Sequence, residues 1–219
     1  AGAVNDKLTA AFCGVGNWPP IKQLRAFVQH PTIREDGSLL SDMGFDAASG
    51  LYLTTDIPVK VPALPTLKQA QAALKVLMQP FAEYKWVDGA VSQTCLMAAL
   101  FTVGLRHLID EGVPLFAITA SRQGSGKTKL VHAISNLWFG RTMAVTPYSS
   151  ESEEMRKHLA SMMMTGERII LFDNVLPTQR VNDPTLNAIL TTGRATFREL
   201  GSNRMLDLDS TATFFMTGT

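Results

Sequence analysis

The stretch "PLFAITASRQGSGKTKLVHAI", residues 114–134, decides the predicted fold. It begins with a short apolar run, "PLFAITA", which has the length and composition of a buried strand. Glycine and serine then punctuate residues 121–126, and beyond them Leu130, Val131 and Ile134 recur on one face at helical spacing. The pattern predicts a strand, a tight loop and an amphipathic helix in direct succession.

The loop in this stretch follows the phosphate-binding pattern G-x-x-x-x-G-K-S/T, except that Ser121 occupies the leading glycine position. Glycines inside the loop permit positive φ, so that backbone N–H groups and the helix N-terminus can converge on anionic oxygens. Lys127 is expected to reach the β- and γ-phosphates of ATP, and Thr128 to place its hydroxyl on Mg²⁺. The alternative is an ordinary Gly/Ser turn with a solvated lysine. The predicted nucleotide-binding residues are Ser121, Gln123, Gly124, Ser125, Gly126, Lys127 and Thr128.

A second apolar run, "IILF", ends in Asp173 and predicts a strand with an acid at its carboxyl end. A phosphate-binding loop needs such an acid on a neighbouring strand to hold the metal, so Asp173 is the predicted Mg²⁺ ligand together with Thr128. The alternative is a turn or helix-capping aspartate, which is common after a strand.

The catalytic base is harder to assign, because Asn174 follows Asp173 and a carboxamide is a poor general base. Glu151, Glu153 and Glu154 follow the predicted second strand, "TMAVTPY", and could face the site. Glu154 is the preferred candidate. The alternative is that these acids form the first turn of a helix and complement its dipole.

Bulk composition sets the class of protein. The 219 residues are 46% hydrophobic and 18% charged, which is a globular composition. The net charge of +1 is not the strongly basic charge of many nucleic-acid-binding proteins, but it is compatible with a local basic surface. No apolar run is long enough to span a bilayer, and we expect a cytoplasmic protein without a membrane partner. Cys13 and Cys95 are expected to be buried, reduced thiols.

Composition and hydrophobic periodicity divide the chain into three regions. Residues 1–65 are rich in turn residues and predict irregular structure with short strands such as Leu51–Leu53. Residues 66–112 predict a helical segment, with a first helix capped by Thr66 and a second over about 92–110. Residues 113–219 alternate strands with helices, which predicts an α/β fold with a parallel sheet flanked by helices. Because the sequence stops inside the apolar run "TATFFMTGT", we expect this core to be truncated at its carboxyl end.

The segment between Asp173 and the last apolar run predicts a short helix and a hairpin. Asp183 is expected as the N-cap and Pro184 as the first residue of the helix. "TFREL" and "MLDLD" alternate on either side of a Gly/Ser/Asn turn, as the two strands of a hairpin do.

Taken together, "REDGSLLSDMGFDAASGLYL", "PLFAITASRQGSGKTKL", "EEMRKHLASMMMTGERIILFDNV" and "RELGSNRMLDLDSTATFFMTGT" resemble the ATPase region of phage and mobile-element DNA primase–helicases. The resemblance covers the chain from about residue 31 onward. It implies a P-loop NTPase fold like that of the AAA+ and superfamily 3 helicases, and a ring-forming, ATP-driven motor acting on single-stranded DNA. It also implies that Lys127, Thr128 and Asp173 keep the roles given above.

In the ring helicases that the sequence resembles, a hairpin before the last strand projects into the central channel. The resemblance therefore implies DNA contacts from Asn203 and Arg204 at the hairpin tip. Arg198 or Arg194 could act as an arginine finger on the ATP of a neighbouring subunit. For each arginine, the alternative is an ordinary exposed cation on a hairpin.

Two other functions remain open at this stage. One is an initiator or loader that binds DNA with ATP but does not unwind it, which the weak chemistry of Asn174 would suit. The other, less favoured, is a small-molecule P-loop kinase, although no arginine-rich lid is evident. Because the predicted core is incomplete, we expect the 219 residues alone to be weakly active or inactive as an ATPase.

Overall fold

The computed structural model describes residues 22–56, 58, 60–62, 64–198 and 204–218. The chain divides into two compact units, Ala1–Pro58 and Val59–Thr219. Each unit is described by itself.

The N-terminal unit is built from short strands around a small apolar core. Its strands are β1 (Ala26–Val28), β2 (Thr32–Ile33), β3 (Leu39–Leu40), β4 (Gly44–Phe45) and β5 (Leu51–Leu53). β5 lies between β1, with which it pairs in parallel, and β4, with which it pairs antiparallel, while β2 and β3 form a separate antiparallel pair. The buried side chains are Val28, Leu40, Leu51 and Leu53. The strand expected at Leu51–Leu53 is present.

The second unit contains a four-stranded parallel sheet. Its strands are β6 (Phe116–Thr119), β7 (Val145–Thr146), β8 (Ile169–Val175) and β11 (Thr213–Gly218). They lie in the order β6-β11-β8-β7 and every neighbouring pair is parallel. The parallel sheet expected from the alternation of strands and helices is confirmed, although the strand expected at 142–148 is limited to two residues. Since all strands run the same way, their carboxyl ends share one edge of the sheet.

Helices flank this sheet, and local sequence signals fix several of their ends. They are α1 (Leu67–Met78), α2 (Ala90–Gly104), α3 (Lys127–Phe139), α4 (Ser152–Met164) and α5 (Pro184–Thr192). Thr66 and Gln69 form a reciprocal capping box at α1. Asp183 caps α5 by accepting a hydrogen bond from the Leu186 N–H at 2.9 Å, as predicted. Among the described helices, none is both long and apolar enough to cross a bilayer.

The second predicted helix, expected to continue to about residue 110, ends at Gly104. A Cβ at Gly104 would lie 2.3 Å from the Trp138 ring, so glycine lets α2 and α3 approach closely. A short 3-10 turn follows, in which the Arg106 side chain is only 4% exposed. Its guanidinium donates to the carbonyl oxygens of Ile109, Glu111, Ser210 and Ala212. These bonds replace continued helix by a turn anchored at the amino end of β11.

Both faces of the sheet are buried. Along β8, Ile169 and Leu171 belong to a core cluster with α2 and α3, whereas Ile170 and Phe172 belong to a cluster with α4 and α5. Alternate residues of a strand point to opposite faces, so a continuous apolar run is what a doubly covered strand requires. The helical segment predicted at 66–112 therefore contributes α2 to the core of the sheet.

The predicted hairpin is formed by β9 (Arg194–Arg198) and β10 (Met205–Asp209), which pair antiparallel with Arg198 opposite Met205. Ala195 and Phe197 are buried, whereas Arg194, Thr196 and Arg198 are exposed. The tip, residues 199–203, lies outside the described residues.

Candidate functional site

The glycine-rich loop connects β6 to α3 at the carboxyl edge of the sheet. Gly124 and Gly126 have φ of 72° and 87°, and Gly126 is the N-cap of α3. Left-handed backbone at these positions favours glycine, which explains why the motif has it there. A cavity of about 610 Å³ borders this loop and is lined by Gln123–Lys129 and by 174–176, just beyond Asp173. Helix N-terminal N–H groups beside such a cavity favour an anionic ligand.

Lys127 is the first residue of α3 and is only 9% exposed. Its Nζ lies 3.4 Å from the Arg122 carbonyl oxygen, so the side chain folds back across the loop. An ammonium held at the rim of a loop lined by backbone N–H groups is suited to bind phosphate oxygens. Ser121, Gln123 and Ser125 belong to the same loop, as the motif predicts.

Thr128 and Asp173, predicted to share a metal ion, are in direct contact. The Thr128 hydroxyl donates to Asp173 Oδ1 at 2.7 Å, although the two residues are 45 positions apart in the chain. Thr128 lies in the first turn of α3 and Asp173 near the carboxyl end of β8. The tertiary fold therefore joins the loop and the acid into one site.

Thr217, at the carboxyl end of β11, completes the surroundings of Asp173 and was missed by the sequence analysis. Its side chain is fully buried, donates a short hydrogen bond to Asp173 Oδ1 and accepts one from the Asn174 N–H at 3.0 Å. Because β11 lies between β6 and β8, Thr217 is placed between the strand before the loop and the strand with the acid. The sequence signal was weak, because the run "TFFMTG" carries threonines at both 213 and 217 and nothing local separates their roles.

Asn174 has an unusual backbone for its residue type. Its φ is 56°, and it is the one non-glycine residue with positive φ in the part of the chain that the structure describes. The pairing of β8 with β11 shifts register at this point, so β8 carries one extra residue, as in a β-bulge. The Asn174 side-chain amide donates to Asp173 Oδ2 at 3.1 Å. Both oxygens of Asp173 are thereby oriented by neutral donors.

The oxygens around Asp173 fit a Mg²⁺ ion. Mg²⁺ prefers hard oxygen ligands and is bound by one or two carboxylates, with waters and phosphate oxygens completing its shell. Thr128 Oγ1 and Asp173 Oδ1 are such oxygens, and they adjoin the loop cavity. Within the described ranges, no cluster of three or more His, Cys, Asp or Glu side chains forms an all-protein metal site. The arrangement suits a metal that arrives with phosphates.

Glu154, the preferred candidate for the catalytic base, lies in the first turn of α4. Its carboxylate pairs with Lys157 Nζ at 2.6 Å, and this hydrogen bond holds the pKa of Glu154 below its ordinary value. It does not line the cavity beside the loop. The structure does not bring Glu154 to the phosphate loop, and its lowered pKa weakens it as a base. Its catalytic role stays a prediction.

The three arginines of the hairpin lie at different positions along its strands. Arg194 pairs with Asp207 at 2.7 Å and with Asp209 at 3.5 Å across the two strands. Arg198 ends β9 and Arg204 immediately precedes β10, so both flank the hairpin tip. Asn203, predicted to contact DNA, lies outside the described residues.

A second cleft, of about 850 Å³, adjoins the same loop on the side of β6 and α2. Tyr84 and Trp86 form part of its wall, and Cys95 of α2 lines it. Cys95 is exposed, so the expectation that it is buried is wrong: its side chain lies at the cleft and not in the buried core cluster. Cys13 lies outside the described residues.

No family model matches the sequence, and no curated protein matches it significantly.

Proposed function

We propose that this chain is the ATP-hydrolysing motor region of a DNA helicase or translocase used in replicating a phage or mobile element, with a P-loop NTPase fold of AAA+ type. The observation that carries the nucleotide-binding part is the contact of Thr128 with Asp173 beside the glycine-rich loop. A chance Gly/Ser turn has no reason to meet a carboxyl group from another strand. The DNA-motor part rests on the sequence resemblance.

In the proposed site, Lys127 and the loop N–H groups bind the β- and γ-phosphates of ATP, while Thr128 and Asp173 hold Mg²⁺. A bound Mg²⁺ would neutralise charge that develops on the phosphate oxygens. Hydrolysis forms a bond from a water oxygen to the γ-phosphorus and breaks the bond to the β–γ bridging oxygen, which releases ADP and phosphate. Asn174 lines the loop cavity, and its carboxamide can orient that water without taking its proton. Glu154 is the proposed base for that proton, a role that requires its carboxylate to leave Lys157 and reach the water in the loop cavity.

The proposed partners are single-stranded DNA and further copies of the chain in a ring, in the cytoplasm of the bacterial host. The hairpin tip, with Asn203 and Arg204, would contact DNA phosphates. Arg198 or Arg194 is the proposed arginine finger, and Arg194 pairs with Asp207 and Asp209 of its own hairpin. A finger must reach a γ-phosphate in the adjacent subunit, and an internal ion pair opposes that.

The test is nucleotide binding by calorimetry, followed by phosphate release with and without single-stranded DNA. Lys127→Ala should weaken ATP binding at least about tenfold and abolish any turnover. Lys68→Ala, an exposed lysine of α1, is the matched control and should change neither. Unchanged ATP binding by Lys127→Ala, with the thermal midpoint preserved, would show that the loop is not a phosphate site.

The alternative function, an ATP-dependent initiator or loader without unwinding activity, is favoured by Asn174. Its amide is committed to Asp173, and it stands where an acid would otherwise polarise water. Slow hydrolysis suits a switch better than a motor. A strand-displacement assay separates the two, since DNA-stimulated ATP hydrolysis without unwinding would favour the loader.

A further inference from the structure

The cleft on the β6 side of the loop and the loop cavity adjoin the same four residues of the loop. Gly124, Ser125, Gly126 and Lys127 line both of them. A ligand whose charged end lies on the loop can therefore extend into the second cleft. At about 850 Å³, this cleft is within the size range of small-molecule sites.

Two aromatic side chains form one wall of the cleft next to the loop. The Tyr84 ring lies against Gly126, with its Cε1 3.6 Å from the position that a Cβ would take there. The Trp86 ring is 5.9 Å from the Tyr84 ring between centroids and is inclined to it by 30°. Both rings also pack in part on the core beneath the sheet. An aromatic surface thus begins where the phosphate loop ends.

The position of this aromatic wall is fixed by the backbone before it. Phe81 is 1% exposed and anchors the 3-10 turn that follows α1. The Tyr84 N–H donates to the Phe81 carbonyl oxygen at 3.3 Å, which continues the turn toward the loop. Because both rings also pack in part on the core, their orientation is restricted before a ligand binds, which lowers the side-chain entropy lost on stacking.

The opposite side of the cleft is also suited to a flat, partly polar ring. It is lined by Phe116–Ala120 along β6 and by Val91, Ser92 and Cys95 of α2. In the described part of the chain, β6 pairs with β11 along one edge only, so backbone polar groups of its other edge face the cleft. Apolar walls with a few polar groups are typical of sites that bind heterocyclic ligands.

We propose that this cleft holds the base and ribose of the nucleotide whose phosphates lie on the loop, with the base stacked on the Tyr84–Trp86 pair. The inference rests on the proposed function. Tyr84 and Trp86 already contact each other, so the base stacks on the outer face of the pair and does not enter between the rings. Tyr84 is then a specificity-determining residue, because it separates nucleotides from bare polyphosphates.

The experiment compares ATP with inorganic tripolyphosphate by calorimetry on the 219-residue chain. Stacking on an aromatic side chain strengthens binding by about tenfold to a hundredfold, so Tyr84→Ala should weaken ATP binding by that factor. Tripolyphosphate has no base, and its affinity should change less than about twofold. Tyr84→Phe should keep ATP binding, since the ring and not the hydroxyl carries the stacking. Tyr52→Ala, in the N-terminal unit, is the matched control.

The outcomes separate this inference from the proposed function. If the unaltered chain binds neither ATP nor tripolyphosphate, both fail together. If it binds both equally and Tyr84→Ala changes neither, the phosphate site stands and the base site is overturned. A parallel loss of ATP and tripolyphosphate binding in Tyr84→Ala would mean that Tyr84 only supports the loop, which also overturns it. Trp86→Ala repeats the comparison at the second ring of the aromatic wall.

Cys95 supplies an independent readout, because it is exposed and lines the cleft. Saturating ATP should slow its alkylation by a maleimide at least about fivefold, whereas tripolyphosphate should not, and peptide mass spectrometry distinguishes it from Cys13. Equal labelling rates with ATP and with tripolyphosphate, when both are bound, would place the base outside this cleft.

Discussion

Two partly buried aspartates, one in each unit of the molecule, have opposite surroundings. Asp46 in the N-terminal unit faces a cation: Arg34 donates to both of its oxygens, at 3.0 and 3.1 Å, and Ser49 donates to Oδ2. Among the described residues, Asp173 receives hydrogen bonds only from the neutral groups of Thr128, Thr217 and Asn174. In the described ranges, no cationic side chain lies within ion-pairing distance of Asp173.

The difference separates a structural carboxylate from one that is available to a ligand. The Arg34 guanidinium neutralises Asp46 and holds it in a bidentate geometry, which stabilises the turn around it. Neutral donors orient Asp173 but leave its charge uncompensated, as a metal ligand requires. The two residues should therefore respond to substitution in opposite ways.

The largest expected effect is on Asp173. Asp173→Asn should abolish the tightening of ATP binding by Mg²⁺ and lower any ATP hydrolysis by about a hundredfold or more, because the metal loses its anionic ligand. Its thermal midpoint should change little, since the amide oxygen can still accept from the Thr128 and Thr217 hydroxyls. Calorimetry with and without Mg²⁺ measures this, with Asp36→Asn as control. If Mg²⁺ still tightened ATP binding to Asp173→Asn, the metal assignment would fail.

Asp46→Asn should have the opposite effect: it should lower stability and leave ATP binding unchanged. The Asp46 and Arg34 side chains are only 15% and 23% exposed, so losing the charge should lower the free energy of unfolding of this unit by about 2–3 kcal/mol. Hydrogen exchange over residues 26–53 in the intact chain measures the change. Binding of ATP should be unaffected. If Asp46→Asn both lost hydrogen-exchange protection over residues 26–53 and bound ATP more weakly, the distinction between a structural Asp46 and a ligand-binding Asp173 would be wrong.

The same ion pair predicts a pH dependence. The hydrogen bonds from Arg34 hold the pKa of Asp46 well below its ordinary value, so folding favours the ionised form. The resulting stability is fully present above the ordinary carboxyl pKa and is lost as the pH falls from about 5 downward. Protection of residues 26–53 should decline over this range, and Asp46→Asn should flatten the decline. An equal decline in both would assign the acid sensitivity to another group.

Thr217 tests the neutral surroundings of Asp173. Thr217→Val keeps the shape of the side chain but leaves the Asn174 N–H without its acceptor, which should cost about 1–2 kcal/mol of stability. Thr217→Ser restores the hydroxyl and should recover most of it. Urea denaturation measures both variants. If valine and serine were equally stable, the hydroxyl would not contribute to holding this end of the site.

The smallest expected effect concerns the backbone of Asn174. Its φ of 56° is costly for a β-branched residue and free for glycine. Asn174→Val should therefore lower the free energy of unfolding by about 1 kcal/mol, while Asn174→Gly should stay within about 0.5 kcal/mol of the parent. Denaturant titration distinguishes them, and a valine variant as stable as the glycine variant would argue against the left-handed bulge.

Local signals predicted much of the second unit. The helix of Pro184–Thr192 follows from Asp183 and Pro184, and β8 from its apolar run, because capping and burial leave marks within a few residues. The early end of α2 was not predictable, since it depends on Trp138 meeting Gly104 and on Arg106 reaching the carbonyl groups before β11. Those partners lie far away in the chain, and the apolar pattern of the helix does not depend on them.

Residue type and short spacing were enough to predict the glycine-rich loop, the lysine and threonine that follow it, and an acid at the end of an apolar strand. The folded chain was needed to show that β11 lies between β6 and β8, that Thr217 and Asn174 orient Asp173, and that Tyr84 and Trp86 lie beside the loop. The order of parallel strands is set by how helices cover both faces of a sheet. That packing depends on the whole chain, so no single segment of the sequence predicts the strand order.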